Sequence, residues 1–219
     1  QERAEADGGG EDALLLGWYY YGRGMHRDAA RWFRRALEVE PDTSAAEGLV
    51  LALSALGDEA AAMPVALEWR DLGEGNKKAY TEVVIKMLTR EPPRPVEAQL
   101  LTDFSPFVVA ERNVPGAQAL GWYAYNTRQF ATAQRWFEVA LQWDPLQEPA
   151  AFGLALALMQ QNETADLARV VDAWAARSER IAALGSGRRP TTTRAPALAA
   201  TTTPAVPATP RAAPAVRPA

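Results

Sequence analysis

Leu16-Gly17-Trp18-Tyr19-Tyr20-Tyr21 returns later in the chain as Leu120-Gly121-Trp122-Tyr123-Ala124-Tyr125. The register then holds: Ala29, Trp32, Phe33, Ala36, Leu37 and Pro41 are answered by Ala133, Trp136, Phe137, Ala140, Leu141 and Pro145. Beyond each proline the likeness continues one residue out of step, with Gly48-Leu49, Leu51, Leu53 and Trp69 matched by Gly153-Leu154, Leu156, Leu158 and Trp174. A block of sequence has been duplicated at a spacing about three times a helical-repeat period of roughly 34 residues.

The periodicity inside each block is helical. Leu16 and Tyr20, then Ala29, Phe33 and Ala36, fall at three- and four-residue steps and so share one stripe on each of two successive helices. Gly22 and Gly24 mark the turn between them, and Pro41 ends the second helix because it lacks an amide proton and clashes with the preceding turn. Asp42, Thr43 and Ser44 are caps for a third. The spacing predicts about ten helices, at 11–23, 27–40, 44–56, 59–72, 77–90, 97–111, 116–127, 130–143, 148–161 and 164–184, and no strand. Pro92, Pro93 and Pro95 break the chain, and Pro106 is expected to interrupt or kink the sixth helix.

The organisation follows: a flexible start over 1–10, a first repeat block over 11–74, degenerate middle helices over 75–113, a second block over 114–185 and a tail over 186–219. The tail is Ala, Pro, Thr and Arg with almost nothing large and apolar, too little to offset the entropy of folding, and is expected to be disordered. Its spaced prolines at 204, 207 and 210 favour an extended conformation. A plain linker is expected, the alternative being a segment that fills the chain's own groove or a neighbour's.

The formal net charge is -4, and every charge in the tail is an arginine, so the folded part is more acidic still. No strong basic patch is expected there, which argues against a nucleic acid partner. No cysteine is present, which excludes disulfides and thiolate chemistry, and no apolar run reaches the length of a membrane span. His26 is the single histidine, ruling out a two-histidine zinc site, and neither a nucleophile elbow nor a phosphate loop occurs. Carboxylates such as Glu38, Glu40 and Asp42, or Asp71 and Glu74, sit at helix ends and read as solvated charge rather than an acid-base pair. The expectation is a protein without catalysis, cofactor or metal. Because the sequence begins at Gln1 rather than Met, it is read as a processed or fragmentary chain, periplasmic or secreted, with a cytoplasmic location as the alternative.

Leu16-Gly17, Tyr20, Ala29, Phe33, Ala36 and Pro41 resemble the signature of tetratricopeptide repeats, and Leu120-Gly121, Ala133, Phe137, Ala140 and Pro145 match it again, departing where Ala124 replaces the expected aromatic. The resemblance implies an all-α, tetratricopeptide-like superhelix of helical hairpins with a close-packing pair at Gly17 and Ala29. It implies a protein-protein interaction scaffold as well, whose hairpins' first helices line a concave face. The Ala-rich repeats, the run from Gly153 to Ala157 and the Pro/Thr tail resemble more loosely the periplasmic repeat proteins of bacterial exopolysaccharide or cellulose secretion.

Trp18 and Tyr21, three residues apart, share a helix face, as do Trp122 and Tyr125, with Asn126 beside the second pair. If these helices line the concave face, the five residues form a binding surface. Aromatic rings with a polar tip suit an extended peptide or protein surface, or alternatively a polysaccharide. The competing reading is that neighbouring helices cover the rings. The cationic clamp that some such repeats use for a peptide carboxylate is missing, because Leu14, Trp18, Gln118, Trp122 and Asn126 occupy its positions. Trp32, Phe33, Trp136 and Phe137, with Trp69 and Trp174, are expected in the core. No polar capping helix precedes Leu14, so one end of the stack is open and self-association is possible.

Overall fold

A computed structural model describes residues 9–185, and all the regular structure among them is helical. The described residues divide into two compact units, with the boundary between residues 87 and 88. The first holds α1 (Gly10–Gly22), α2 (His26–Val39), α3 (Thr43–Ala55), α4 (Glu59–Trp69) and all but the last residue of α5 (Glu74–Leu88). The second holds α6 (Ala98–Ala110), α7 (Val114–Asn126), α8 (Phe130–Trp143), α9 (Glu148–Gln161), α10 (Thr164–Trp174) and α11 (Glu179–Gly185). Within the first unit α1 packs against α2, α2 against α3 and α3 against α4, and within the second each helix from α6 to α11 packs against the next; α3 also touches α1, as α9 touches α7. The fold is all-α and tetratricopeptide-like. The expected disordered tail lies outside the described residues, as does most of the 1–10 segment.

The turns follow from the sequence. Gly24, at φ 73°, takes the left-handed conformation that lets α1 turn into α2. The Asp42 carboxylate accepts the Ala45 amide at 2.6 Å to cap α3, Asp58 caps α4 through Ala61 at 3.1 Å, and Asn113 caps α7 through Gly116 at 2.7 Å. In the first unit the Asn76 amide donates to the Thr43 carbonyl at 3.0 Å, tying α5 to the start of α3. The buried Glu59 carboxylate is matched by Lys86 at 2.8 Å, and the same ammonium reaches the Ser54 carbonyl.

The core of each unit is built round one phenylalanine. Phe33 on α2 is fully buried between Gly17 of α1 and Gly48 of α3, and Phe137 on α8 is buried in the same way between Gly121 of α7 and Gly153 of α9. A methyl group on any of these four glycines would stand within 2.7 Å of a ring carbon. The atoms nearest the place a methyl group on Gly17 would take belong to Phe33, and Ala29 is fully buried. Trp32, Trp136 and Trp174 are buried as expected; Trp69 is only half-buried. Tyr20, placed on the core stripe by its spacing, is also only half-buried.

Three expectations are corrected. The predicted tenth helix, 164–184, is two helices, because Ser178 starts a new one by accepting the Ile181 amide at 3.3 Å and is itself held by the Glu148 carboxylate at 2.6 Å. The predicted helix at 59–72 gives way at Arg70 to a single 3₁₀ turn. Pro106 does not interrupt α6, which runs through it, just as α4 runs through Pro64. A proline inside a helix removes one ladder hydrogen bond and crowds one carbonyl, a local cost that packing along the rest of the helix offsets.

Candidate functional site

Each unit carries one copy of the predicted aromatic pair. In the first, Trp18 and Tyr21 meet edge to face with centroids 5.8 Å apart, and Trp18 stands edge-on to the buried Phe33 ring at 5.0 Å. In the second, Trp122 and Tyr125 meet at 5.8 Å and Trp122 stands edge-on to Phe137 at 5.1 Å. The near identity of the two geometries follows from the shared packing round each phenylalanine. The glycine preceding each tryptophan admits the ring, and the tryptophan then leans on its edge, where the positive rim of one ring meets the negative face of the other.

All four rings, and Asn126, are half-buried. Part of each side chain is covered by its neighbours and part remains accessible to solvent. Trp18 donates its indole N–H to the Ser44 hydroxyl at 3.0 Å, a contact to the first turn of α3. Tyr21 has the His26 ring at 5.3 Å, and the Nδ1 of His26 is buried without a hydrogen-bond partner. His26 is thus wedged beneath Tyr21 rather than freely solvated. In the second unit Trp122 and Tyr125 pack against the cluster of Ala151, Phe152, Ala155 and Leu156 on α9, and Tyr125 also meets Phe130 at 5.5 Å. Burial pushes the Tyr125 phenol above its ordinary pKa, with a hydrogen bond to Gln160 acting in the opposite direction.

Polar groups beside these rings come from residues whose roles spacing alone did not disclose. Gln118, one turn before Trp122 on α7, donates to Gln147 at 3.1 Å, and Gln147 in turn donates to Asp144 at 2.6 Å. The second unit also holds a concavity of about 250 Å³ whose lining includes Leu154, Leu158, Val170 and Trp174 together with Glu138, Asp166 and Arg169. The four-residue step from Leu154 to Leu158 is its only trace in the sequence.

The expectation of a folded part without a basic patch also needs correction. Arg27, Arg31, Arg34 and Arg35 all stand exposed on α2, a concentration that whole-chain charge averages away. Arg35 pairs with Glu38 at 3.3 Å and Arg31 lies over the Trp32 ring at 5.7 Å. Among the described residues no cluster of three or more His, Asp or Glu side chains is placed to hold a metal ion, and no helix is long and apolar enough to cross a membrane.

No protein-family model matches the sequence, and no curated protein does. Among solved structures the chain is similar to one titled "Functional Characterization of Pseudomonas Aeruginosa pilF", at 18% identity, covering 86% of this chain and 80% of that one with a TM-score of 0.40. So loose a likeness carries no functional argument. The tetratricopeptide-like character of the fold rests on the chain's own duplicated hairpins.

Proposed function

We propose that this chain is a non-catalytic interaction scaffold in which each unit binds an extended peptide or protein surface on its own partly exposed aromatic face, through Trp18 and Tyr21 of α1 in the first and Trp122, Tyr125 and Asn126 of α7 in the second. The observation that carries the reading is the repetition of the Trp–Tyr pair. Each copy places one indole and one phenol 5.8 Å apart on the first helix of a hairpin, both rings partly packed and partly exposed. Such rings supply apolar contact area at low cost in side-chain entropy, because the packing has already fixed their rotamers. Affinity would come from ring burial, so binding should depend only weakly on salt.

The test is affinity capture from native extract with three forms of the full chain: wild type, Tyr21→Ala/Asn126→Ala, and Trp18→Phe/Trp122→Phe. All must keep wild-type helical circular dichroism. Proteins retained by the wild type and lost from both variants support the reading. An identical retained set for all three contradicts it. Retardation of the wild type, but not the variants, in gels containing a glucan would move the same faces from protein to polysaccharide.

A further inference from the structure

The duplication supplies an internal control for one exposed face of α1. Residues 104 positions apart occupy the same place in their hairpins, so Leu15, Tyr19 and Arg23 correspond to Ala119, Tyr123 and Thr127. In the second unit that face is covered. Tyr123 is 3% exposed with its hydroxyl 3.4 Å from the Val96 amide, Ala119 is 2% exposed, and Val108 and Phe104 of α6 lie against Gly116 at the start of α7. In the first unit the same face is exposed among the described residues. Leu15 is 68% exposed, Tyr19 is 51% exposed, and Arg23 lies over the Tyr19 ring at 4.5 Å. The same side chain at the same repeat position, a tyrosine in both copies, is buried by a helix in one and left in solvent in the other.

Asp12, Leu15, Tyr19 and Arg23 form one exposed stripe along α1, at steps of three and four residues. It is a different stripe from that of Trp18 and Tyr21. Its order, acid, apolar, aromatic, base, is self-complementary when two copies of the helix run antiparallel. A two-fold axis near Gly17 would set Asp12 of one copy opposite Arg23 of the other and Leu15 opposite Tyr19, twice over. Two-fold contacts of this isologous kind are the commonest in homo-oligomers.

We infer that the chain forms a homodimer through this stripe of α1, with two antiparallel copies related by a two-fold axis. The helix has 13 residues and is about 20 Å long, so the contact falls at or below the low end of the range for specific interfaces. The dimer is therefore weak.

Sedimentation equilibrium of the full chain from micromolar to millimolar concentration reads it directly. The weight-average mass should rise from 23.8 kDa toward twice that value. Leu15→Asp/Tyr19→Glu should hold the chain monomeric throughout. Asp12→Arg and Arg23→Asp should each weaken association severalfold, and the two together should restore it, because the swap regenerates both reciprocal pairs. The four side chains are exposed, so the variants should keep the wild-type thermal transition. A chain that stays at 23.8 kDa up to millimolar concentration overturns the proposal and leaves the face to a different helix. Association unaffected by Leu15→Asp/Tyr19→Glu overturns it as well, and failure of the double charge swap to restore association overturns the antiparallel pairing.

Discussion

Gly48 leaves open the space that the Phe33 ring fills: a methyl group on Gly48 would stand 2.3 Å from the ring's Cζ. Gly153 stands in the same relation to Phe137, at 2.4 Å. A ring held from both sides by helices cannot retreat as a flexible side-chain end can, so a methyl group there forces helices apart. Gly48→Ala should destabilise the first unit by roughly 1–3 kcal/mol, despite a gain of about 1 kcal/mol in intrinsic helix propensity. Gly22→Ala, where nothing lies within 4 Å, should be neutral or stabilising. Chemical denaturation of the two variants, read by circular dichroism, separates the effects. Equal midpoints would show that the ring is not tightly held.

The complementary change empties the same space. Phe33→Ala or Phe137→Ala should each cost roughly 3–5 kcal/mol, and Phe33→Leu combined with Gly48→Ala should cost less than the sum of the two changes made singly, because they share one cavity. A loss at Phe33 too small to measure by denaturation would contradict the packing.

The hydrogen bond from Trp18 to Ser44 fixes one aromatic ring against the following helix. Ser44→Ala should cost about 0.5–1.5 kcal/mol and should shift the indole N–H resonance of Trp18. In the second copy Pro149 stands at the place aligned with Ser44 and offers no hydroxyl, so the resonance of Trp122 should not respond.

The fold was legible in the sequence because the residues that set it are few and chemically distinct. Gly17, Gly48 and Phe33, with their counterparts Gly121, Gly153 and Phe137, recur in register, and Asp42 and Pro41 announce helix boundaries. The break after Trp174 was not legible. The serine that caps the last helix lies in Ser178-Glu179-Arg180, a polar stretch that also continues a helix well, and the decisive partner, Glu148, lies thirty residues away. The aromatic faces were half legible. Spacing placed Trp18 beside Tyr21, but the degree of covering depends on contacts such as His26 and Phe152 that no local pattern encodes. Leu15 and Tyr19 read as ordinary helix residues until the buried state of Ala119 and Tyr123 showed what the same positions can support.

The Glu148 carboxylate should make the second unit sensitive to acid. The Arg180 guanidinium and the Ser178 hydroxyl hold its pKa below the usual carboxylate value, against the opposing effect of partial burial. A carboxyl whose pKa is lower in the folded state contributes stability that is present above its unfolded pKa, about 4.3, and is lost as the pH falls through the folded value. The docking of α11 should therefore loosen in that window, seen as faster amide exchange at Ile181 and Leu184. Glu148→Gln should loosen it at neutral pH and flatten this part of the acid dependence.

The role of the aromatic faces is open to a direct measurement. A protein or peptide retained in the capture experiment is titrated into isotopically labelled chain while the indole N–H resonances of all seven tryptophans are followed. Binding at the proposed faces predicts progressive, saturable shifts at Trp18 and Trp122, with the buried Trp32 and Trp136 little changed. Saturable binding that moves other resonances and leaves both Trp18 and Trp122 in place would contradict it.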